Sequence, residues 1–177
     1  MRKPTRTLAT TQMAAARGPH GDLDATATTV PLLSKPMIEL PGTLQVPVVR
    51  TDYSSDAAWQ WICEQIASPT DEGFKANVEF VEDRSLEGLV ERAIVEAIPR
   101  GYPSHYPHAV LFVVDAIAIS PPDHALLVVD LHEANPSEHF RAIPRAVQSI
   151  ENNLSIANMD FVEFASAVDP AGIFRGF

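Results

Sequence analysis

The chain has 177 residues and a formal net charge of −10, with 46% hydrophobic and 20% charged residues, proportions typical of a soluble globular protein. Residues 1–44 contain five Lys/Arg and three Asp/Glu, whereas residues 45–177 contain eight basic and twenty acidic side chains and so carry −12. So negative a segment repels phosphate groups, which argues against nucleic acid and anionic membranes as partners. A basic protein surface or a basic small molecule is the better electrostatic match.

A single cysteine, Cys63, excludes an internal disulfide, a Cys-rich zinc site and a CxxC redox motif. No apolar run approaches the roughly 18 residues of a membrane-spanning helix, and the basic residues at the start are not followed by the hydrophobic region of a secretory signal. No Gly-rich phosphate loop is present. We therefore expect a cytoplasmic protein without a cofactor, and its oligomeric state is left open.

Residues 1–44 are rich in Thr, Ala and Pro, and their apolar residues are scattered rather than periodic. Such a segment cannot bury enough surface to offset the entropy lost on ordering. We therefore predict a disordered N-terminal tail over residues 1–44, in which Leu32-Leu33 and Met37-Ile38 could dock locally, and a single globular domain over residues 45–177.

The first half of that domain alternates strands with helices. Val46–Arg50 is a short strand, and Asn77–Glu82 partly alternates, as a strand at the edge of a sheet does. Each is followed by an amphipathic helix, the first capped by Ser54 or Ser55 and the second opened by Ser85. The apolar stripes of the two helices comprise Trp59, Ile62, Cys63 and Ile66, and then Leu86, Leu89, Val90, Ala93, Ile94 and Ala97. The place of the cysteine in such a stripe predicts a buried, inert thiol.

Two apolar runs, Val110–Val114 and Ala125–Val129, form the centre of the domain, and each is followed by an aspartate, Asp115 or Asp130. Neither run alternates apolar with polar residues, so both faces of each strand should be covered. The Pro-Pro-Asp turn between the runs predicts an antiparallel hairpin.

The last third is less regular. Phe140–Ile143 could add a fifth strand, and Pro144–Ala157 is left open between helix and strand, because Asn152-Asn153 weakens the helical stripe there. Asp160 caps a final helix, with Glu163 placed to complete a capping box.

The resulting order, β-α-β-α-β-β-(β or α)-α, predicts an α/β (α+β) fold: a mixed sheet of four to five strands with helices packed on it. The strand–helix–strand start implies a right-handed parallel crossover. This element order is similar to the thioredoxin-like topology without its redox motif, and a shared arrangement does not fix function.

Four strings of residues are distinctive: Ser149–Phe161 (SIENNLSIANMDF), Gly172–Phe177 (GIFRGF), Val49–Asp52 and Ala76–Val81. They resemble an uncharacterised, mostly actinobacterial family of the domain-of-unknown-function kind, over roughly residues 46–177. The resemblance implies a bacterial, cytoplasmic protein, and it brings no established reaction, cofactor or site with it.

The first candidate site is acidic. Asp52, Asp115 and Asp130 each follow a predicted strand, where open α/β sheets place ligand-binding residues. Converging carboxylates could hold Mg²⁺ or Mn²⁺ and orient a water for hydrolysis; alternatively, each aspartate simply leaves its strand in a turn. If the third strand is parallel to the first, Asp52 and Asp115 share an edge of the sheet, and if it is antiparallel, Asp52 and Asp130 do.

The histidines of the domain form no HxH or HExxH pattern, so no metal site is predicted from them. His132, beside Asp130 and Glu133, is the best placed of them as a catalytic candidate. In the closing segment, Asn152, Asn153, Asn158 and Arg175 are candidate binding residues. The alternative is that this segment locks the final helix onto the sheet, with the asparagines bracing a neighbouring loop.

An acidic charge without an assembled catalytic motif favours a non-catalytic binding or protein-interaction module, of the immunity-like or accessory kind, that meets a basic partner. A divalent-metal-dependent hydrolase that uses the strand-end aspartates is the alternative.

Overall fold

The protein, in a computed structural model, is described over residues 38–135 and 138–177. Of the tail that the sequence predicts to be disordered, residues 1–37 lie outside the described residues. From residue 38 the chain runs without regular structure to the first strand, and Ile38 and Leu40 pack against buried side chains of the domain.

Six strands form one mixed sheet in the order β2-β1-β3-β4-β5-β6. The strands are β1 (Val46–Arg50), β2 (Val78–Val81), β3 (Val110–Val114), β4 (Leu126–Asp130), β5 (His139–Ala142) and β6 (Ile173–Phe174). β1 is parallel to both β2 and β3, β4 is antiparallel to both β3 and β5, and β6 is parallel to β5. The mixed α/β class is therefore confirmed.

Five α-helices and two short 3₁₀ turns connect the strands. The helices are α1 (Asp56–Ala67), α2 (Glu91–Ala97), α3 (Ala116–Ile119), α4 (Val147–Ser155) and α5 (Phe161–Ser166). The 3₁₀ turns are Arg84–Leu86 and Pro144–Ala146. Ser55 caps α1 through its side chain, and Asp160 and Glu163 form the predicted capping box at α5.

The central strands β3 and β4 are buried along their whole length, as their apolar runs predict. One face of the sheet, with Phe112 and Val128, packs against α1, α4 and α5. The opposite face, with Leu111 and Leu127, packs against α2. Successive residues of these strands therefore enter two separate apolar cores, which is why the one polar residue of the two strands, Asp130, stands at the last position of β4.

Three features differ from the sequence predictions. The sheet has six strands rather than four to five, because the closing segment supplies β6. The second helix begins at Glu91 rather than Ser85, because the chain turns at Gly88, whose φ is +78°, and Val90 is left exposed. The connection between the two central strands contains the short helix α3.

Two further predictions have other outcomes. The thioredoxin-like order is not confirmed. The segment Pro144–Ala157, which was left open between helix and strand, contains the 3₁₀ turn Pro144–Ala146 and the helix α4.

The edge position predicted for Asn77–Glu82 is confirmed, since β2 is the outermost strand on its side of the sheet. The fifth strand predicted near Phe140–Ile143 is confirmed as β5. Among the described residues, none of the helices combines the length and the apolar character needed to cross a membrane.

The short strand β6 contributes a buried aromatic ring to the domain. Phe174 is fully buried and its ring centroid lies 5.3 Å from that of Phe164. Replacing it in Phe174→Ala should lower the free energy of unfolding by roughly 3–5 kcal/mol, as for other buried phenylalanines. The matched control is Phe177→Ala, whose side chain is 77% exposed and which should cost about 1 kcal/mol or less. Urea unfolding measures both, and equal losses would contradict a folded role for β6.

Candidate functional site

Asp52 and Asp115 lie at the same edge of the sheet, because β3 runs parallel to β1. Asp130 ends β4, which is antiparallel to β3, so it lies at the opposite edge. The chain passes from β1 to β2 on one side and then returns to β3 on the other side of β1. The gap between the carboxyl ends of β1 and β3 is therefore a topological switch point, where open α/β sheets commonly bind ligands.

A cleft of about 340 Å³ lies at this edge, and we call it the switch-point crevice. Two exposed apolar side chains, Val90 and Ile117, line it together with the carboxylates of Asp52, Glu91 and Asp115. The remaining lining residues are Thr51, Gly88, Leu89 and Ala116. The crevice therefore combines an apolar surface with an acidic rim.

Backbone hydrogen bonds fix the shape of the crevice. The N–H groups of Thr51 and Asp52 both donate to the carbonyl of Val114, at 3.0 and 3.2 Å, which joins the ends of β1 and β3. The N–H of Gly88 donates to the carbonyl of Thr51 at 2.9 Å and holds the segment before α2 against β1. The left-handed φ of Gly88 makes this turn accessible to glycine in particular.

Asp115 is buried and its oxygens are fully engaged. It caps α3 by accepting from the N–H of Ala118 at 3.1 Å, and it accepts two hydrogen bonds of 2.8 Å from the guanidinium of Arg141. Arg141 also binds Glu91. Burial alone would lower the pKa of Arg141, but the hydrogen bonds and charges of Asp115 and Glu91 outweigh it and raise that pKa.

Asp52 is only partly buried and forms a local turn, in which it accepts from the backbone N–H of Ser54 at 2.8 Å and from its hydroxyl. The structure thus brings Asp52 and Asp115 to one edge but gives each of them a structural partner. Within residues 38–135 and 138–177, no group of three or more His, Cys, Asp and Glu side chains is placed to hold a metal ion.

Asp130 and His132 form a second candidate site at the opposite edge. Asp130 is completely buried and accepts from Nδ1 of His132 at 2.7 Å, from the backbone N–H of His132 at 2.9 Å and from Nδ2 of Asn135 at 2.7 Å. The ring of Tyr102 packs edge-on against the ring of His132, with 4.7 Å between centroids. The histidine is thus oriented from two sides.

A cavity of about 390 Å³ adjoins this pair, and we call it the His132 pocket. It is lined by Asp130, His132, Asn135, Glu138, Asp160, Phe161 and Val162. Asp130 and His132 were predicted as site residues from the sequence. Their neighbours Asn135, Glu138 and Asp160 were not, because these residues come from a loop and from the cap of α5.

The other histidines of the described residues have separate structural contacts. His108 is buried against Thr43, His105 pairs with Glu133 at 2.8 Å, and His124 binds the carbonyl of Ala118 at 2.9 Å. Nε2 of His139 lies 3.6 Å from Glu91, which lines the switch-point crevice. These contacts lie in different parts of the fold.

The predicted binding residues of the closing segment have structural partners of their own. Asn153 accepts from Nδ2 of Asn158 at 2.6 Å and donates to the carbonyl of Ser149, which braces the end of α4, while Asn152 is exposed. Arg175 donates to Asp169 and Asp123, both at 2.7 Å. These hydrogen bonds hold the pKa of each aspartate below its usual range and raise the pKa of the arginine.

Within the segment Ser149–Phe161, the residue that reaches a distant loop is Glu151, which was not among the predicted binding residues. Glu151 is buried in α4, where it accepts from the backbone N–H of Asn77 at 3.0 Å and from the hydroxyl of Ser155 at 3.0 Å. The bracing of a neighbouring loop that we expected from the asparagines is thus performed by the adjacent glutamate. Its signal in the sequence is a carboxylate on the apolar stripe of α4, one residue after Ile150.

Cys63 lies on the inner side of α1, packed against the core. Burial raises the pKa of its thiol to about 12, so the thiolate required of a nucleophile is scarcely populated at neutral pH. This agrees with the inert thiol predicted from the helical stripe.

The fold and the two clefts described above define a six-stranded α/β domain with acidic sites at opposite edges of its sheet. The chain belongs to the family described as a domain of unknown function (DUF6924), whose model matches residues 45–177. This agrees with the resemblance to a domain-of-unknown-function family. A search of curated proteins found no match.

The ion pair between Arg141 and Asp115 provides a test of what shapes the crevice. The variant Arg141→Met leaves a buried carboxylate without its cation and should lower the free energy of unfolding by roughly 3 kcal/mol. Arg92→Met is the matched control, because Arg92 is exposed and its salt bridge is with Glu96 on the same helix. The free energy of unfolding of this variant, measured by urea unfolding, should be unchanged. Wild-type stability of Arg141→Met would contradict a structural role for the pair.

Proposed function

We propose that this domain is a non-catalytic protein-interaction module, and that the switch-point crevice receives a basic, partly apolar segment of a partner protein. The observation that carries the proposal is the joint position of two exposed apolar side chains and an acidic rim at the switch point of the sheet.

The apolar part of the crevice supplies the affinity. Val90 is 66% exposed and Ile117 is 53% exposed, and covering such side chains is favourable by about 25 cal/mol per Å² of apolar area removed from water. Leu89 lies beside them, partly buried, and extends the same surface.

The charged part selects the partner. Three carboxylates line the crevice, those of Asp52, Glu91 and Asp115. The guanidinium of Arg141 pairs with Glu91 and Asp115, and Nε2 of His139 lies 3.6 Å from Glu91. A lysine or arginine of the partner could lay its aliphatic stem on Ile117 and direct its charge to the rim. Since residues 45–177 carry −12, the field of the whole domain would favour the same partner.

The engagement of the aspartates supports binding rather than catalysis. Both oxygens of Asp115 are held, by Arg141 and by the cap of α3, which leaves this carboxylate poorly placed to activate water. Asp52 accepts from Ser54 through Oδ1 and so has a structural role in its own turn.

The proposal is tested by selecting random decapeptides displayed on phage against the immobilised wild-type domain. Selected peptides should combine Lys or Arg with Leu, Ile or Phe, and they should lose binding about tenfold or more to Ile117→Lys, which replaces an apolar contact by a charge that repels the basic peptide. The matched control is Ile156→Lys, because Ile156 is 65% exposed and does not line the crevice.

Two results would contradict this function. One is a selection that enriches acidic sequences or enriches nothing over an empty support. The other is a set of peptides that binds the Ile117→Lys and Ile156→Lys variants equally well. Binding of isolated Lys- or Arg-like small molecules at the same strength as the peptides would replace the protein partner by a small ligand.

The metal-dependent hydrolase remains the alternative, and a thermal-shift series with Mg²⁺, Mn²⁺ and EDTA separates it from a binding module. We expect no metal-linked rise in Tm, since Asp115 is already neutralised by Arg141. A rise that disappears in Asp52→Asn would favour the hydrolase.

A further inference from the structure

The His132 pocket lies at the edge of the sheet where β4 ends, and its polar groups are oriented by one buried carboxylate. Asp130 has no exposed surface and accepts three hydrogen bonds, from two donors of His132 and one of Asn135. An ionised carboxylate can only accept, so the proton of the neutral imidazole is placed on Nδ1.

This placement determines what the two residues present to the cavity. With its proton on Nδ1, His132 has a lone pair on Nε2, which makes that atom an acceptor. Asn135 donates through Nδ2 to Asp130, so its oxygen is left as the second acceptor. The packing of Tyr102 against the imidazole restricts the ring to this orientation.

The remaining lining residues agree with the same polarity. Glu138 and Asp160 add carboxylates, which also only accept, and Phe161 and Val162 supply an apolar wall. A cavity of about 390 Å³ is within the size range of small-molecule sites. Apart from the fully buried Asp130, every polar side chain that lines the pocket in the described part of the chain can thus accept a hydrogen bond from a ligand.

We propose that the His132 pocket binds a small primary amine that carries an apolar group. A primary ammonium supplies three N–H donors and a positive charge, which matches acceptors and carboxylates, whereas an anion would meet only repulsion. Because no group of three ligating side chains is placed for a metal among the described residues, N–H donors fit this pocket better than a metal ion does. The apolar group of the ligand would lie on Phe161 and Val162.

The proposal is tested by NMR titration of the full chain with 2-phenylethylamine as the probe. Two further compounds separate charge from hydrogen bonding: 2-phenylethanol keeps the apolar group without charge, and the N,N,N-trimethylated ammonium keeps the charge without N–H donors. We expect the amine to shift the His132 side-chain resonances and to bind about tenfold or more tightly than either analogue, because a hydrogen bond to a charged group is worth more than 1.4 kcal/mol.

Variants locate the binding in this pocket. His132→Phe and Glu138→Gln should each weaken binding of the amine about tenfold, the first by removing the ring acceptor and the second by removing a charge. His105→Phe is the matched control, since the His105 side chain is 82% exposed and pairs with Glu133 instead, and it should bind as the wild type does. Because Glu138 is exposed, its variant tests the site even if the replacement of His132 disturbs the fold.

Three results would overturn the proposal. The first is the absence of any shift of the His132 resonances up to about 10 mM amine, a concentration that already covers very weak affinity. The second is equal binding of the trimethylated analogue and the amine. The third is wild-type affinity for the amine in the Glu138→Gln variant. Ile117→Lys should leave binding of the amine unchanged, so that this site and the switch-point crevice fail or succeed independently.

Discussion

The burial of β3 and β4 on both faces is the constraint on which the rest of the structure depends. Strands with two apolar faces offer no position along their length for a polar side chain, since an unpaired polar group there would be costly. Polar residues are therefore placed where the strands end, and both candidate sites lie at such ends. The central pair thus determines where chemistry can occur in this fold.

The antiparallel pairing of β3 with β4 sends their two aspartates to opposite edges of the sheet. Each buried carboxylate is then satisfied by side chains from later parts of the chain: Asp115 by Arg141 of β5, and Asp130 by His132 and Asn135 of the following loop. A buried charge is tolerated only with such partners. The same pairing that stabilises the fold therefore orients Arg141 at one cleft and His132 at the other.

The central strands were predictable from the sequence because their apolar runs do not alternate, and the caps at Ser55 and Asp160 were predictable because capping depends on neighbouring residues. The strand β6 was not, since its two residues, Ile173 and Phe174, are too few to carry a periodic signal. The start of α2 was misplaced because apolar spacing continued across Gly88, where the backbone turns.

The candidate sites were predictable only where partners are close in the sequence. Asp130 and His132 are two residues apart, so their association was visible, and the common edge of Asp52 and Asp115 followed once the direction of β3 was known. The ion pair of Asp115 with Arg141 spans 26 residues, and the contact of Glu151 with the backbone of Asn77 spans 74. Contacts of this range depend on tertiary packing that local patterns do not encode.

The two outer strands of the sheet differ in a way that bears on self-association. An unpaired strand edge can recruit the edge of another molecule and begin an aggregate. At one end β2 carries the exposed carboxylate of Glu79 in the middle of an otherwise apolar run, and at the other end β6 is only two residues long. Repulsion between Glu79 side chains at the β2 edge, and the short length of β6 at the other edge, therefore disfavour the pairing of copies into fibres.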